Sequence, residues 1–320
     1  MITSALWMHR ALQLAALGLG KVQPNPMVGA VIIHNEQIIG EGYHQQYGAP
    51  HAEVNAICAV KNQELLKGST LYVNLEPCAH FGKTPPCTSL IIEKKIPKVV
   101  VGMKDPSEKV NGKGIKMLRD AGVEVIENVL QDESLRLNKR FVTYHTKKRP
   151  YIFLKWAQTK NGFMDILRDD NVGTYWITND ALRVWTHKLR NEEQAILIGY
   201  NTLKNDNPKL TNRLYGPNQP QRFVLCDERK SIEVASFSVL CGSVEEVLNE
   251  LYALKIQSMI VEGGKKTLQR FLDSHLWDEA FVLTGNVEWE SGVEAPKMLY
   301  AFNEAIYVDG ETVEHYSYLI

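Results

Sequence analysis

Several features that would fix a protein's class are scarce or missing here. The chain has 5 cysteines among 320 residues, too few for a disulfide framework and in keeping with a reducing compartment. No apolar run is long enough to cross a bilayer. The opening M-I-T-S-A-L-W-M-H-R-A-L lacks a basic start leading into a long apolar core, so an amphipathic helix is expected rather than a secretory leader. Positive charge is not in excess. The formal net charge is -1, and no basic run or basic–aromatic stripe marks a nucleic-acid groove. Internal repeats and low-complexity segments are also missing. What remains is a cytoplasmic, globular chain with no membrane and no nucleic-acid partner, whose 320 residues suggest two domains, each with its own core.

Against this background the stretch from His51 to Cys87 stands out, with P-H-A-E-V-N-A at one end and E-P-C-A-H-F-G-K-T-P-P-C at the other. His51, Cys78 and Cys87 offer one imidazole and two thiolates, the donors a borderline-soft ion such as zinc selects. Three protein ligands leave one tetrahedral position open, as in a catalytic site. Glu53 lies two residues past His51, within reach of a metal-bound water. H-x-E followed by P-C-x-x-C marks zinc deaminases, although here eight residues separate Cys78 from Cys87. A purely structural zinc knuckle would need a fourth ligand. Cys58 is two helical turns from His51, about 10 Å along the axis, which leaves His80 as the local candidate.

Periodicity supplies the frame. Residues 4–19 carry Ala and Leu at helical spacing and stop at Gly20. Q-P-N-P-M-V-G is a stiff loop holding Asn25 between two prolines. That amide either reads a ligand's edge or performs ordinary turn chemistry. V-G-A-V-I-I-H and Q-I-I-G-E-G-Y-H predict two strands joined at Asn35 and Glu36. His44 just after them faces the pocket mouth or simply ends the strand. A helix over 54–60, strands over 69–75, 98–102 and 123–127, and helices over 115–121 and 130–143 follow. Alternation of this kind predicts helices packed on a largely parallel sheet, with ligands beyond the strand tips.

T-K-K-R-P is a charged join, so the domains are expected at 1–146 and 149–320. The second opens on the apolar strand Y-I-F-L-K-W-A. A helix capped by Thr178 or Asn179 runs to Arg190, and A-I-L-I-G and R-F-V-L-C are strands. N-T-L-K-N-D-N-P-K-L-T-N-R reads as a long polar loop. S-M-I-V-E-G-G-K-K-T-L-Q-R-F-L is strand, Gly263–Gly264 turn, helix. Its backbone N–H groups and two lysines suit a phosphate, while the same pattern also serves as a tight packing turn.

Together these pieces resemble the bifunctional riboflavin-biosynthesis family, a diaminohydroxyphosphoribosylaminopyrimidine deaminase fused to a 5-amino-6-(5-phosphoribosylamino)uracil reductase. The resemblance covers nearly the whole chain. It rests on P-C-A-H-F-G-K-T-P-P-C, whose Cys–Cys spacing is that family's variant, and on P-N-P-M-V-G, G-Y-H-Q-Q-Y-G-A-P-H-A-E, D-P…V-N-G-K-G-I, W-I-T, L-R, N-P-K-L-T-N-R and V-E-G-G. It implies an α/β protein, a cytidine-deaminase-like three-layer sandwich followed by a dihydrofolate-reductase-like α/β domain. His51, Cys78 and Cys87 would hold Zn2+ and Glu53 would shuttle the proton. Asn25, His44 and Lys83 would contact the pyrimidine ribotide.

In the second half Trp176, Thr202, Asp206, Gly263 and Gly264 would line an NADPH site. Thr174, Arg190, Leu210, Arg213 and Glu262 would face the substrate, with Arg190 and Arg213 on its phosphate. The implied reactions are hydrolytic deamination of 2,5-diamino-6-(5-phosphoribosylamino)pyrimidin-4(3H)-one and NADPH reduction of the ribosyl to a ribityl chain, in a homo-oligomer. The chain departs from the family where S-L-D-G becomes T-K-N-G, placing Asn161 at the acidic position, and in a shorter segment between Arg213 and Glu262. The competing function is a zinc deaminase of another nucleotide or RNA adenosine, carrying a non-catalytic C-terminal binding or dimerisation module.

Overall fold

The computed structural model describes residues 2–79, 85–108, 110–167, 175–227 and 236–318, in two units, Met1–Lys148 and Arg149–Ile320. The first unit begins with α1 (Ile2–Ala16), β1 (Gly29–His34), β2 (Gln37–Tyr43) and α2 (Ala52–Ala59). It continues through β3 (Thr70–Leu75), α3 (Cys87–Glu93), β4 (Lys98–Met103), α4 (Lys113–Asp120), β5 (Glu124–Ile126), α5 (Gln131–Leu137) and α6 (Lys139–Lys147).

Alternation along the strands builds three layers, because successive side chains point to opposite faces. Ala30, Ile32, Leu71, Val73, Val99 and Val101 meet α2, α3 and α4 on one face. Val31, Ile33, Tyr72 and Val100 meet Met8, Ala11 and Leu14 of α1 on the other. The strand order is β2-β1-β3-β4-β5. Pairing is parallel only along β3-β4-β5, and β1 is antiparallel to both its neighbours. The sheet is therefore mixed, not largely parallel. Its N-terminal hairpin turns on Asn35 and Glu36, both at positive φ (47° and 60°), the pair of conformations a two-residue hairpin needs.

Gly40 and Gly42 decide where α2 lies. A Cβ at Gly40 would come within 2.4 Å of Ala56 O, and one at Gly42 within 2.6 Å of Ala56 N. The helix rests directly on bare backbone of β2, which seats His51 at its start. The single helix expected over 130–143 is broken into α5 and α6 at Asn138. There the Asn138 amide clasps the backbone of Met27, with Oδ1 accepting from Met27 N (2.8 Å) and Nδ2 donating to Met27 O (2.9 Å). From β3, Asn74 adds Nδ2 to Met27 O (3.0 Å) and accepts from Gly29 N (2.8 Å). Two buried amides thus fix the loop that carries Asn25.

The second unit opens with β6 (Tyr151–Gln158), β7 (Phe163–Asp165), α7 (Asp180–Glu192), β8 (Ala195–Gly199) and α8 (Tyr200–Asp206). Then come β9 (Gln221–Cys226), β10 (Ser238–Cys241), α9 (Val244–Ala253), β11 (Ser258–Val261) and α10 (Lys265–Ser274). The unit ends with β12 (Glu279–Thr284), β13 (Val293–Glu294), β14 (Glu304–Val308) and β15 (Glu311–Ser317). Its main sheet has the order β10-β9-β8-β11-β6-β12-β15-β14, parallel as far as β12 and antiparallel beyond. A small antiparallel sheet pairs β13 with β7.

Leu154, Leu197, Phe223 and Val261 pack under α9 and α10. Ile196, Ile198, Val224 and Ile260 pack against Leu189 and Leu203 of α7 and α8. Asn179 caps α7 by accepting from Leu182 N (2.9 Å). The segment expected as one long loop from Asn201 is helical to Asp206. It turns at Asn207 (φ 40°), just before Pro208, which cannot continue a helix. The charged join also differs from expectation, because Arg149 is buried. Arg149 donates to both Asp278 oxygens (2.6 and 2.8 Å), and Asp278 accepts from Ile152 N (2.8 Å), pinning the start of β6.

Candidate metal centre and dinucleotide cleft

In the first unit three ligand atoms converge. His51 precedes α2 as its N-cap, Cys78 follows the end of β3, and Cys87 opens α3. His51 Nδ1 is 3.6 Å from Cys78 Sγ and 3.3 Å from Cys87 Sγ, and all three atoms lie within 4.8 Å of one another. Tetrahedral zinc with bonds of about 2.0 Å to nitrogen and 2.3 Å to sulfur separates N from S by roughly 3.5 Å. The donors therefore fit that ion by spacing and by type. Cys58 is exposed and takes no part. His80 and Lys83 lie outside the described residues.

The thiols are too close to ionise independently. The hydrogen bond between them, aided by His51 and opposed by burial, lowers the Cys78 pKa, while the same contact and burial raise that of Cys87. Cys87 N also donates to Cys78 Sγ (3.3 Å), a helix N-terminal contact that favours thiolate. A dication between the sulfurs removes the conflict, since coordinating thiols are deprotonated outright. Glu53, in the first turn of α2, is 3 % exposed. Burial, reinforced by the Cys78 charge, lifts its pKa to about 7, suited to giving and taking a proton near neutrality. Asn25 Nδ2 and His44 Nε2 are 3.0 Å apart. The His44 ring stands edge-on to His51 at 5.5 Å, so two of the three expected substrate contacts, His44 and through it Asn25, connect to the candidate metal centre.

In the second unit Thr202, Asp206, Glu262, Gly263 and Gly264 line one cleft of about 1190 Å³ together with Gly199, ample for a dinucleotide beside usual ligand pockets of about 300–1,000 Å³. A Cβ at Gly263 would lie 2.8 Å from Thr267 Cβ and 3.1 Å from Gly199 N, so the turn must be bare backbone. Gly264 N donates to Thr202 Oγ1 (3.0 Å), which takes one of the N–H groups expected to be open for phosphate.

Other expected residues fall elsewhere. Trp176 is exposed beneath the Arg183 guanidinium, 4.0 Å from its ring centroid, and is not among the residues lining the cleft. Leu210 is buried in the core beside α7, and Thr174 lies outside the described residues. Arg190 gives Nε and Nη2 to the two Glu262 oxygens (3.0 and 2.6 Å), so only Nη1 of its guanidinium is clear of that pair. Arg213 N donates to His187 Nδ1 (3.1 Å).

Sequence reasoning left Lys155 and His187 without roles. Burial lowers the pKa of Lys155, opposed by the charge of Glu262. Burial raises Glu262, but Arg190 and Lys155 outweigh it and hold the carboxylate below its ordinary range. A lysine inside the apolar run Y-I-F-L-K-W-A was the available signal. Asn161 is fully engaged. Its Oδ1 accepts from Thr159 Oγ1 (2.8 Å) and Trp289 N (3.3 Å), and its Nδ2 donates to Trp289 O (2.7 Å). An aspartate there could not make the last bond.

Comparison with known proteins agrees with this division. Residues 1–103 match the cytidine and deoxycytidylate deaminase zinc-binding region, and residues 150–286 match the RibD C-terminal domain. The chain is 40% identical over 307 residues to the riboflavin biosynthesis protein RibD of Aquifex aeolicus, covering 86% of this chain and 85% of that one. It is 37% identical to the protein of the same name from Bacillus amyloliquefaciens, covering 85% and 82%.

Among solved structures it is similar to a diaminohydroxyphosphoribosylaminopyrimidine deaminase/5-amino-6-(5-phosphoribosylamino)uracil reductase from Thermotoga maritima, with TM-score 0.87, 36% identity and 98% of each chain covered. Acinetobacter baumannii RibD aligns with TM-score 0.88 at 28% identity over 99% of each chain. The fold is the expected cytidine-deaminase-like sandwich followed by a dihydrofolate-reductase-like domain. The chain belongs to the RibD family of riboflavin-biosynthesis proteins.

Proposed function

We propose that the first unit deaminates 2,5-diamino-6-(5-phosphoribosylamino)pyrimidin-4(3H)-one by hydrolysis and that the second reduces the product's ribosyl group to a ribityl chain at the expense of NADPH. The observation that carries the first half is the His51–Cys78–Cys87 cluster, its ligand atoms within 4.8 Å of one another, with the buried carboxyl Glu53 two residues past His51. Zinc held by those three residues supplies the Lewis acidity that brings the pKa of water toward neutrality. Glu53 takes the proton released as water adds to the amine-bearing ring carbon and returns it to the departing nitrogen, so that ring–NH2 and water become ring carbonyl and ammonia. Asn25 and His44 orient the pyrimidine edge, and Lys83 the ribotide.

In the second unit NADPH bound along the Thr202, Gly263 and Gly264 turn supplies the hydride. Asp206 belongs to the same wall, and Trp176, exposed beside Arg183, lies outside the residues that line it. Glu262 holds Arg190 so that Nη1 meets the substrate phosphate together with Arg213, a charge-assisted contact. The family resemblance adds Thr174 to the substrate-facing residues, while Leu210 stays in the core beside α7. The reading includes a homo-oligomer in the cytoplasm with no nucleic-acid partner. It is supported by the formal charge of -1, by the apolar side chains Leu299, Phe302, Ile306 and Tyr307 exposed around β14, and by the lack of any helix, among the described residues, long and apolar enough to cross a membrane.

The test is an assay of the zinc-replete protein with the ribotide, following ammonia release and NADPH oxidation separately. Both signals in equal amount are expected. Glu53→Gln should keep its zinc and lose about 10²–10⁴-fold in ammonia release. A near wild-type rate in the purified variant would refute the role of Glu53.

A further inference from the structure

Glu76, two residues before Cys78, is a buried carboxylate that the proposed chemistry does not use. It follows β3 at the edge where Leu75 pairs with Met103 of parallel strand β4, and its N–H donates to Met103 O (2.9 Å). Its side chain reaches into the next crossover. Oε2 accepts from Asp105 N (3.2 Å) and Gly112 N (2.9 Å), and Oε1 accepts from Gly114 N (2.9 Å) and Ile115 N (3.1 Å). Four backbone donors converge on one carboxylate. A neutral amide would turn donors toward two of them, and the first turn of α4 favours negative charge there.

The same contact joins the metal-ligand segments. A Cβ on Gly114 would lie 2.1 Å from Pro77 O, so the start of α4 is pressed against the residue before Cys78. Thr88, beside Cys87, donates its N–H to Cys78 O (3.2 Å), and its hydroxyl lies 3.2 Å from Met117 Sδ on α4. Cys78 and Asp105 follow the carboxyl ends of adjacent parallel strands, where α/β sheets bind ligands.

We propose that Glu76 is a positioning residue of the deaminase centre, whose carboxylate locks Asp105, Gly112, Gly114 and Ile115 into the arrangement that walls the pyrimidine pocket beside Cys78. This rests on the deamination proposed above. The experiment is steady-state ammonia release from the diaminopyrimidine ribotide by wild type, Glu76→Gln and Gly114→Ala, with bound metal counted and the visible spectrum of the Co2+-substituted proteins recorded. A wild type that releases no ammonia refutes the deaminase reading itself, whatever Glu76 does.

With an active wild type, both variants should bind one metal ion with the wild-type spectrum. Their KM should rise about tenfold or more while kcat falls by less than about threefold, the pattern of lost ground-state positioning. An unchanged KM in a folded, metal-bound variant overturns the proposal and leaves Glu76 as a stabiliser of the fold alone. An altered Co2+ spectrum or lost metal also overturns it, because Glu76 would then be supporting the thiolates. If Glu76→Gln does not fold, Gly114→Ala displaces the start of α4 without changing charge and carries the same outcomes.

Discussion

His44 decides which end of the Asn25 amide the pocket meets. Its Nδ1 lies 3.1 Å from Pro50 O, and a carbonyl only accepts, so Nδ1 carries the proton. Nε2 is then the acceptor, and the Asn25 group 3.0 Å away must be the NH2, which turns Oδ1 away from His44. Burial lowers the His44 pKa against the opposing pull of Pro50, in keeping with this neutral tautomer. Asn25→Asp sets a carboxylate oxygen against the Nε2 lone pair, a mismatch of about 1–3 kcal/mol. KM for the ribotide should rise about tenfold with zinc content unchanged, and an unaltered KM would show that the amide's orientation is immaterial. None of this geometry was legible in the sequence, where Asn25 read first as a turn residue and His44 as either a pocket residue or a strand end. The metal ligands were legible because thiolate and imidazole chemistry is rare enough for type and spacing together to define a site.

At the scale of elements, hydrophobic periodicity located most helices and strands, but two amides escaped it. Asn74 sits inside T-L-Y-V-N-L, which reads as an uninterrupted buried strand, and Asn138 inside a segment whose pattern continues across it. Each is polar because its partner is the backbone of Met27, a contact spanning up to 111 residues that no local pattern encodes. The antiparallel seat of β1 beside β3 was hidden for the same reason. Asn138→Ala removes an acceptor from Met27 N and a donor from Met27 O. Leaving a buried donor unsatisfied costs about 1–3 kcal/mol, so the urea midpoint of the first unit should fall with its slope unchanged. No shift in the midpoint would mean that water replaces the clasp.

For the molecule as a whole, one compact unit ends at Lys148 and the next begins at Arg149, which belongs to the core of the second through Asp278. The division has a chemical consequence. Every proposed metal ligand lies within Met1–Lys148 and every residue lining the proposed dinucleotide cleft within Arg149–Ile320. In the second unit the charges of Lys155, Arg190 and Glu262 act on one another. Chelation should therefore separate the two activities. Removing zinc from the intact chain should depress ammonia release by about a hundredfold or more, because the proton shuttle of Glu53 has value only where water is activated. The same sample, given the deaminated ribosylaminouracil phosphate and NADPH, should oxidise NADPH at close to its original rate. Restored zinc should recover ammonia release alone. Parallel loss of both activities would mean that the metal sustains the second unit as well, and that the two sets of residues do not act independently.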